Sequence, residues 1–149
     1  MVHALEEIHR LLKTSGFLID IHPVPHWLFL RAIEAETILA VEPRPHSYSQ
    51  DVLHAEEALA QVIRRGLYVV EQSDEFDYFT HADSVSELHQ HCDQINAYDE
   101  GPQDEQVLLE REEQFARFEA IMQAAGAGAE VLVHERARIT RMRHNSKRE

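Results

Sequence analysis

The chain has 149 residues, 44% of them hydrophobic, enough to bury a real core and too apolar for a disordered segment. Fourteen Lys and Arg stand against 27 Asp and Glu, a formal net charge of -13, which argues against nucleic-acid binding through a general basic field. Cys92 is the only cysteine, which excludes an internal disulfide and a multi-cysteine zinc site.

Residues 4–13 have the spacing of an amphipathic helix. Leu5, Ile8, Leu11 and Leu12 mark one face; Glu6, Glu7, Arg10 and Lys13 mark the other. Gly16 can take the left-handed conformation that ends a helix. Phe17 to Ile21 then reads as a mostly apolar strand. His22-Pro23-Val24-Pro25 reads as a loop leaving the carboxyl end of that strand, because each proline restricts the residue before it. Residues 27–33 and 37–41 form a hairpin pattern around Glu34-Ala35-Glu36. Ser49 or Asp51 can cap a helix running to about Arg65, with Val52, Leu53, Ala55, Leu59, Val62 and Ile63 apolar, and Gly66 stops it.

Residues 67–71 form the next strand pattern, Ser73-Asp74 a polar turn, and residues 76–80 a further, less regular strand. Ser84 opens a helix with Glu87 at the capping-box position, and the helix carries Val85, Leu88, Cys92 and Ile95. After an acidic linker at residues 99–104, a long helix spans residues 105–124, with Phe115, Phe118, Ile121 and Met122 available for burial. Residues 130–141 alternate as a strand with mixed faces. Arg136, Arg138, Arg141, Arg143, Lys147 and Arg148 concentrate near the end, read as a solvated strand face and a frayed basic tail over 142–149.

Residues 4–19, ALEEIHRLLKTSGFLI, resemble the C-terminal half of a class I S-adenosylmethionine-dependent methyltransferase of type 11-like sequence. In that family an E-x-x-R-x-L-K-P-G-G helix-turn runs into the fifth strand of a seven-stranded sheet. Glu6 or Glu7, Arg10, Leu12, Lys13 and Gly16 fit this pattern, and Thr14-Ser15 depart from it. The resemblance implies that the strand from Leu67 is the sixth. It implies that the strand from Val131 is the seventh, inserted antiparallel between the fifth and sixth. The fold class implied is α/β, reduced to α+β as a fragment. It is a partial Rossmann-like sheet with one parallel-type strand, antiparallel C-terminal strands, helices and an inserted hairpin. Residues 1–149 then form one domain, with the hairpin and helix of 23–65 as an insertion.

The family binds S-adenosylmethionine on a Gly-rich turn between a strand and a helix, with an acidic residue ending the second strand. Five glycines occur here, at 16, 66, 101, 126 and 128, and none makes that turn. Gly126-Ala127-Gly128 follows a helix and precedes a strand, the reverse of the required order. The resemblance therefore implies a methyltransferase lacking its cofactor-binding N-terminal half, truncated and inactive alone. It also implies that Phe17 to Ile21 presents an edge whose neighbouring strand is absent. A complementary N-terminal half or a second copy of the chain would pair with that edge. A non-catalytic, self-associating α+β module is the alternative.

Asp20 and His22 share strand parity at a carboxyl end, where ligands of open α/β sheets gather, and His26 follows. In the resembled family this region approaches the methyl acceptor, so these three are substrate-side candidates that could orient or deprotonate it. The other reading is a polar strand end with ordinary surface histidines. No catalytic residue is assigned. His89-x-His91-Cys92 is the tightest cluster of metal-type ligands, but on a helix His89 and His91 stand about 200° apart, so no metal is expected. No leader or membrane-length apolar run is present, and the expectation is a cytoplasmic protein without membrane contact.

Overall fold

The computed structural model describes residues 1–44, 49–96 and 104–145, without the side chains at positions 26, 27, 49, 50 and 96. The fold is α+β. In chain order the elements are α1 (Val2–Leu11), β1 (Phe17–Glu34), β2 (Thr37–Pro43), α2 (Ser49–Arg64), β3 (Tyr68–Ala82), α3 (Val85–Asn96), α4 (Glu105–Ala125) and β4 (Ala129–His144). The strands form one sheet in the order β2-β1-β4-β3, so the last strand lies between the first and third. By contacts the chain divides into two units. Unit 1 holds Met1–His26, Ser49–Phe76 and Arg136–Glu149; unit 2 holds Trp27–Tyr48 and Asp77–Glu135.

Unit 1 is α1 and α2 packed on strand segments. Its core is Leu5, Ala58, Leu59, Val62, Tyr68 and Met142, with Val2, Leu12, Leu18, Ile63 and Leu67 against it. The strand directions follow from the contacts. Arg141 and Arg143 of β4 reach Glu71 of β3, Thr140 bonds Ser73, and Arg138 reaches Glu75. One number rises as the other falls, so β3 and β4 are antiparallel. His144 N–H meets the Gly16 carbonyl beside β1, and the Arg141 guanidinium lies over Phe17. β1 is therefore also antiparallel to β4, and parallel to β3 in this unit.

Unit 2 is closed by α3 and α4 over Leu28, Leu30, Ala32, Ala82, Val85, Leu88, Cys92, Phe115, Phe118, Val131 and Val133. Even positions of β1 and odd positions of β4 supply the sheet side of this core, as strand alternation requires. β1 and β2 pair antiparallel, with Glu34 opposite Thr37 and a bulge between Ala32 and Ile33. The two-residue turn puts Ala35 at φ 53°, a left-handed conformation unusual for a residue with a Cβ. The Ser84 hydroxyl accepts from Glu87 N–H while the Glu87 carboxylate accepts from Asp83 N–H, a capping arrangement that starts α3. Gln114 is buried and donates to the Pro43 carbonyl, and Arg117 pairs with Glu42.

Five expectations are corrected. Residues 22–25 do not form a loop: β1 runs unbroken through both prolines for 18 residues. Proline forbids a helix, but its fixed φ suits an extended edge whose missing N–H faces away from a neighbour. Ser73-Asp74 is not a turn, because Ser73 and Glu75 are held to Thr140 and Arg138, and β3 stays extended from Tyr68 to Ala82. Gly16 has no positive φ; a Cβ there would stand 2.9 Å from Leu12 side-chain atoms and the Lys13 carbonyl, so close approach explains the glycine. The packed face of α1 is Val2, Leu5, His9 and Leu12, while Leu11 is 70% exposed and Ile8 lies at the rim. Finally, the tail does not fray at 142: Met142 is fully buried and β4 continues to His144, with residues 146–149 outside the described set.

Candidate functional site

A polar cluster in unit 1 is built from three strands and one helix. Alternation along β1 turns Leu18 toward the core and places Asp20 and His22 on the same side. The His22 ring donates from Nδ1 to Asp20 Oδ2 at 2.5 Å, and its Nε2 stands 3.4 Å from Glu56 Oε1 on α2. Helical spacing explains Glu56: it lies four residues after Val52 and three before Leu59, both buried, at the margin of the apolar stripe. Arg138 of β4 donates from Nη1 to Glu56 Oε1 at 2.5 Å. The same guanidinium donates from Nε and Nη2 to Glu75 Oε1 at 3.1 and 2.8 Å. Ser73 and Thr140 share a hydroxyl contact of 3.1 Å nearby.

These groups border a cavity of about 300 Å³, whose lining includes His22, Glu56, Ser73 and Arg138 against Leu59 and Val70. The His22 side chain is only 10% exposed. The hydrogen bond to Asp20 nevertheless holds its imidazole above the ordinary range, outweighing burial, with Glu56 adding to the effect. Asp20 fixes the ring and directs Nε2 toward Glu56, the general arrangement by which a carboxylate orients an imidazole for proton transfer. The cluster can bind a small polar group and move a proton at Nε2.

Of the residues expected at a site, Asp20 and His22 are brought together, in the interior of β1 rather than at its end. His26 lies on β1, and its side chain is outside the described residues. Glu56, Arg138 and Ser73 were not foreseen. Glu56 left a readable signal, as a carboxylate beside a helical apolar stripe. The strand partners Arg138 and Ser73 left none, because their meeting depends on sheet order.

The cluster at His89 has a structural role in unit 2. His89 contacts Asp93 on its own helix at 3.1 Å and Glu112 of α4 at 2.8 Å, tying the two helices together. Cys92 is buried, and burial pushes its thiol up, away from the reactive thiolate. Among the described residues no three His, Cys, Asp or Glu side chains gather as a metal site. Among the described residues no helix is long and apolar enough to cross a membrane. Comparison with protein families, curated proteins and solved structures finds no match.

Proposed function

We propose that the chain is the acceptor-side half of a class I S-adenosylmethionine-dependent methyltransferase. A complementary segment bearing the cofactor site would complete it. The observation that carries the reading is the strand order. In unit 1, β4 lies between β1 and β3 and antiparallel to both, which is the arrangement the resemblance at residues 4–19 implies for strands seven, five and six. The chain's own residues do not fit the cofactor. Among the described residues the glycines with positive φ are Gly66, Gly126 and Gly128, which follow α2 and α4 and lead into strands, not from a strand into a helix. The cofactor, held elsewhere, would supply an activated methyl group. In this half, His22 oriented by Asp20 would accept the proton an acceptor hydroxyl or amine gives up.

The edge of β1 supports a missing partner. Among the described residues, β2 pairs with β1 only from Phe29 to Glu34, plus one bond to the Leu28 carbonyl, so residues 17–27 have β4 on one side alone. Phe17, Ile19 and Ile21 of this segment are 51%, 41% and 59% exposed. Calorimetry with S-adenosylmethionine should give no micromolar binding by the chain alone. Adding the N-terminal half of a class I methyltransferase, ending before its fifth strand, should restore binding and slow exchange of the residue 17–21 amides. Tight binding by the chain alone, or no binding and no protection in the mixture, overturns the proposal.

The same exposed residues favour a second reading, a non-catalytic module that self-associates through this edge. Sedimentation should then show a dimer with protected residue 17–21 amides. A folded monomer at high concentration rejects it.

A further inference from the structure

α1 rests on unit 1 through a histidine, not only through leucines. The His9 ring meets Tyr68 edge-on, with centroids 5.3 Å apart at 87°. It lies flat against the His144 ring, 4.0 Å away at 11°. The Tyr68 hydroxyl donates to the Leu5 carbonyl at 2.8 Å, one turn earlier on the helix. His9 Nε2 and His144 Nδ1 are both buried without a hydrogen-bond partner. Two such atoms side by side are tolerable on neutral rings. On charged rings they are not, because a buried N–H of a cation needs an acceptor.

The polar groups facing His9 from each packed element favour the neutral ring. From β3 comes Tyr68, whose phenol burial keeps protonated, and just before it the Leu67 carbonyl, which bonds His9. From β4 comes His144. From the end of α2, Arg65 is engaged by Glu6, one turn before His9 on α1. Among the described residues no carboxylate pairs with either ring.

We propose that the His9–His144 stack is an acid-released latch: while both imidazoles are neutral α1 stays seated on the sheet, and their protonation frees α1 from Tyr68 and the core around Leu5. Burial holds His9 below the ordinary imidazole range and the neighbouring His144 pushes it the same way, against the Leu67 carbonyl. The released state takes up protons that the seated state refuses. The latch is therefore closed above the ordinary imidazole pKa of about 6.5 and opens as pH falls from there. Release would bare Tyr68, Met142 and the α2 face at Ala58, Leu59 and Val62.

The test is NMR on the full chain from pH 8 to 5. It follows the ring protons of His9 and His144 and the exchange of the α1 amides, corrected for intrinsic rates. The His9 ring should titrate below the free-imidazole midpoint. Once pH falls below the free-imidazole value, α1 exchange should rise by up to about tenfold per pH unit until His9 is protonated. The His9→Phe/His144→Phe double variant keeps two stacked rings with nothing to protonate, and its α1 exchange should be flat. Free-imidazole midpoints with flat exchange in the natural chain, or an unchanged rise in the double variant, overturn the latch. If the double variant does not fold, coincidence of the ring and exchange midpoints in the natural chain decides.

Discussion

Units 1 and 2 are both built from segments of β1, β3 and β4, yet they are stabilised in different ways. Unit 2 buries a contiguous apolar core under two helices, with polar contacts such as Arg117–Glu42 and His89–Glu112 set around it. Unit 1 has a smaller apolar core flanked by two histidine sites of opposite sense. Protonation strengthens His22 against Asp20 and Glu56, whereas protonation destroys the stack of His9 on His144. The difference teaches that unit 2 is held mainly by area and unit 1 partly by protons. Their responses to truncation and to pH should therefore diverge.

The largest effect expected is in unit 2. Phe118 is fully buried, and Phe118→Ala should cost about 3–5 kcal/mol in urea unfolding. A loss under 1 kcal/mol would show that the α4 core is not what holds that unit. In unit 1, Arg138→Met leaves Glu56 and Glu75 without their shared cation. Because that side chain is one third exposed, the cost should be only about 1–2 kcal/mol. Amide protection should fall in unit 1 first; equal loss of protection in both units would break the contrast.

The pH response sharpens the comparison further. His22 has its folded pKa raised, so its contribution is fully present below the free-imidazole pKa and is lost as pH rises through the folded value. His22→Gln should remove that loss, so that unit 1 protection no longer declines on the alkaline side of pH 6.5, the approximate free value. An unchanged alkaline decline would assign it to another group. The smallest effect is a gain. Ala35 sits at φ 53°, and Ala35→Gly should stabilise the hairpin by roughly 0.5–1 kcal/mol. Thermal melting that shows a loss instead would mean the alanine side chain contributes more than its strain costs.

Much of the fold was legible locally. Capping by Ser84 and Glu87, the apolar stripe of α2 and the hairpin at Glu34–Thr37 each depend on neighbours a few residues apart. What escaped depends on distant partners. Ser73-Asp74 has the composition of a turn and is drawn into β3 by Thr140 and Arg138, more than sixty residues away. His22-Pro23-Val24-Pro25 has the composition of a strand break, yet its prolines are accommodated within β1, where a missing N–H is tolerated at an edge. At the site, the Asp20–His22 pairing followed from strand parity, while the cation that joins it came from a strand whose place in the sheet no local pattern reveals.

The two prolines of β1 also limit how far another strand could pair along it. A strand stretch paired on one side only, as residues 17–27 are among the described residues, would ordinarily be a template for stacking chain upon chain. Pro23 and Pro25 can donate no backbone N–H, so an incoming strand can zip up from Phe17 only to about Ile21, roughly 17 Å, before it runs out of donors. That length is shorter than the roughly six- or seven-residue segments typical of cross-β stacking. Prolines placed in this way match the gatekeeper positions that interrupt aggregation-prone strands.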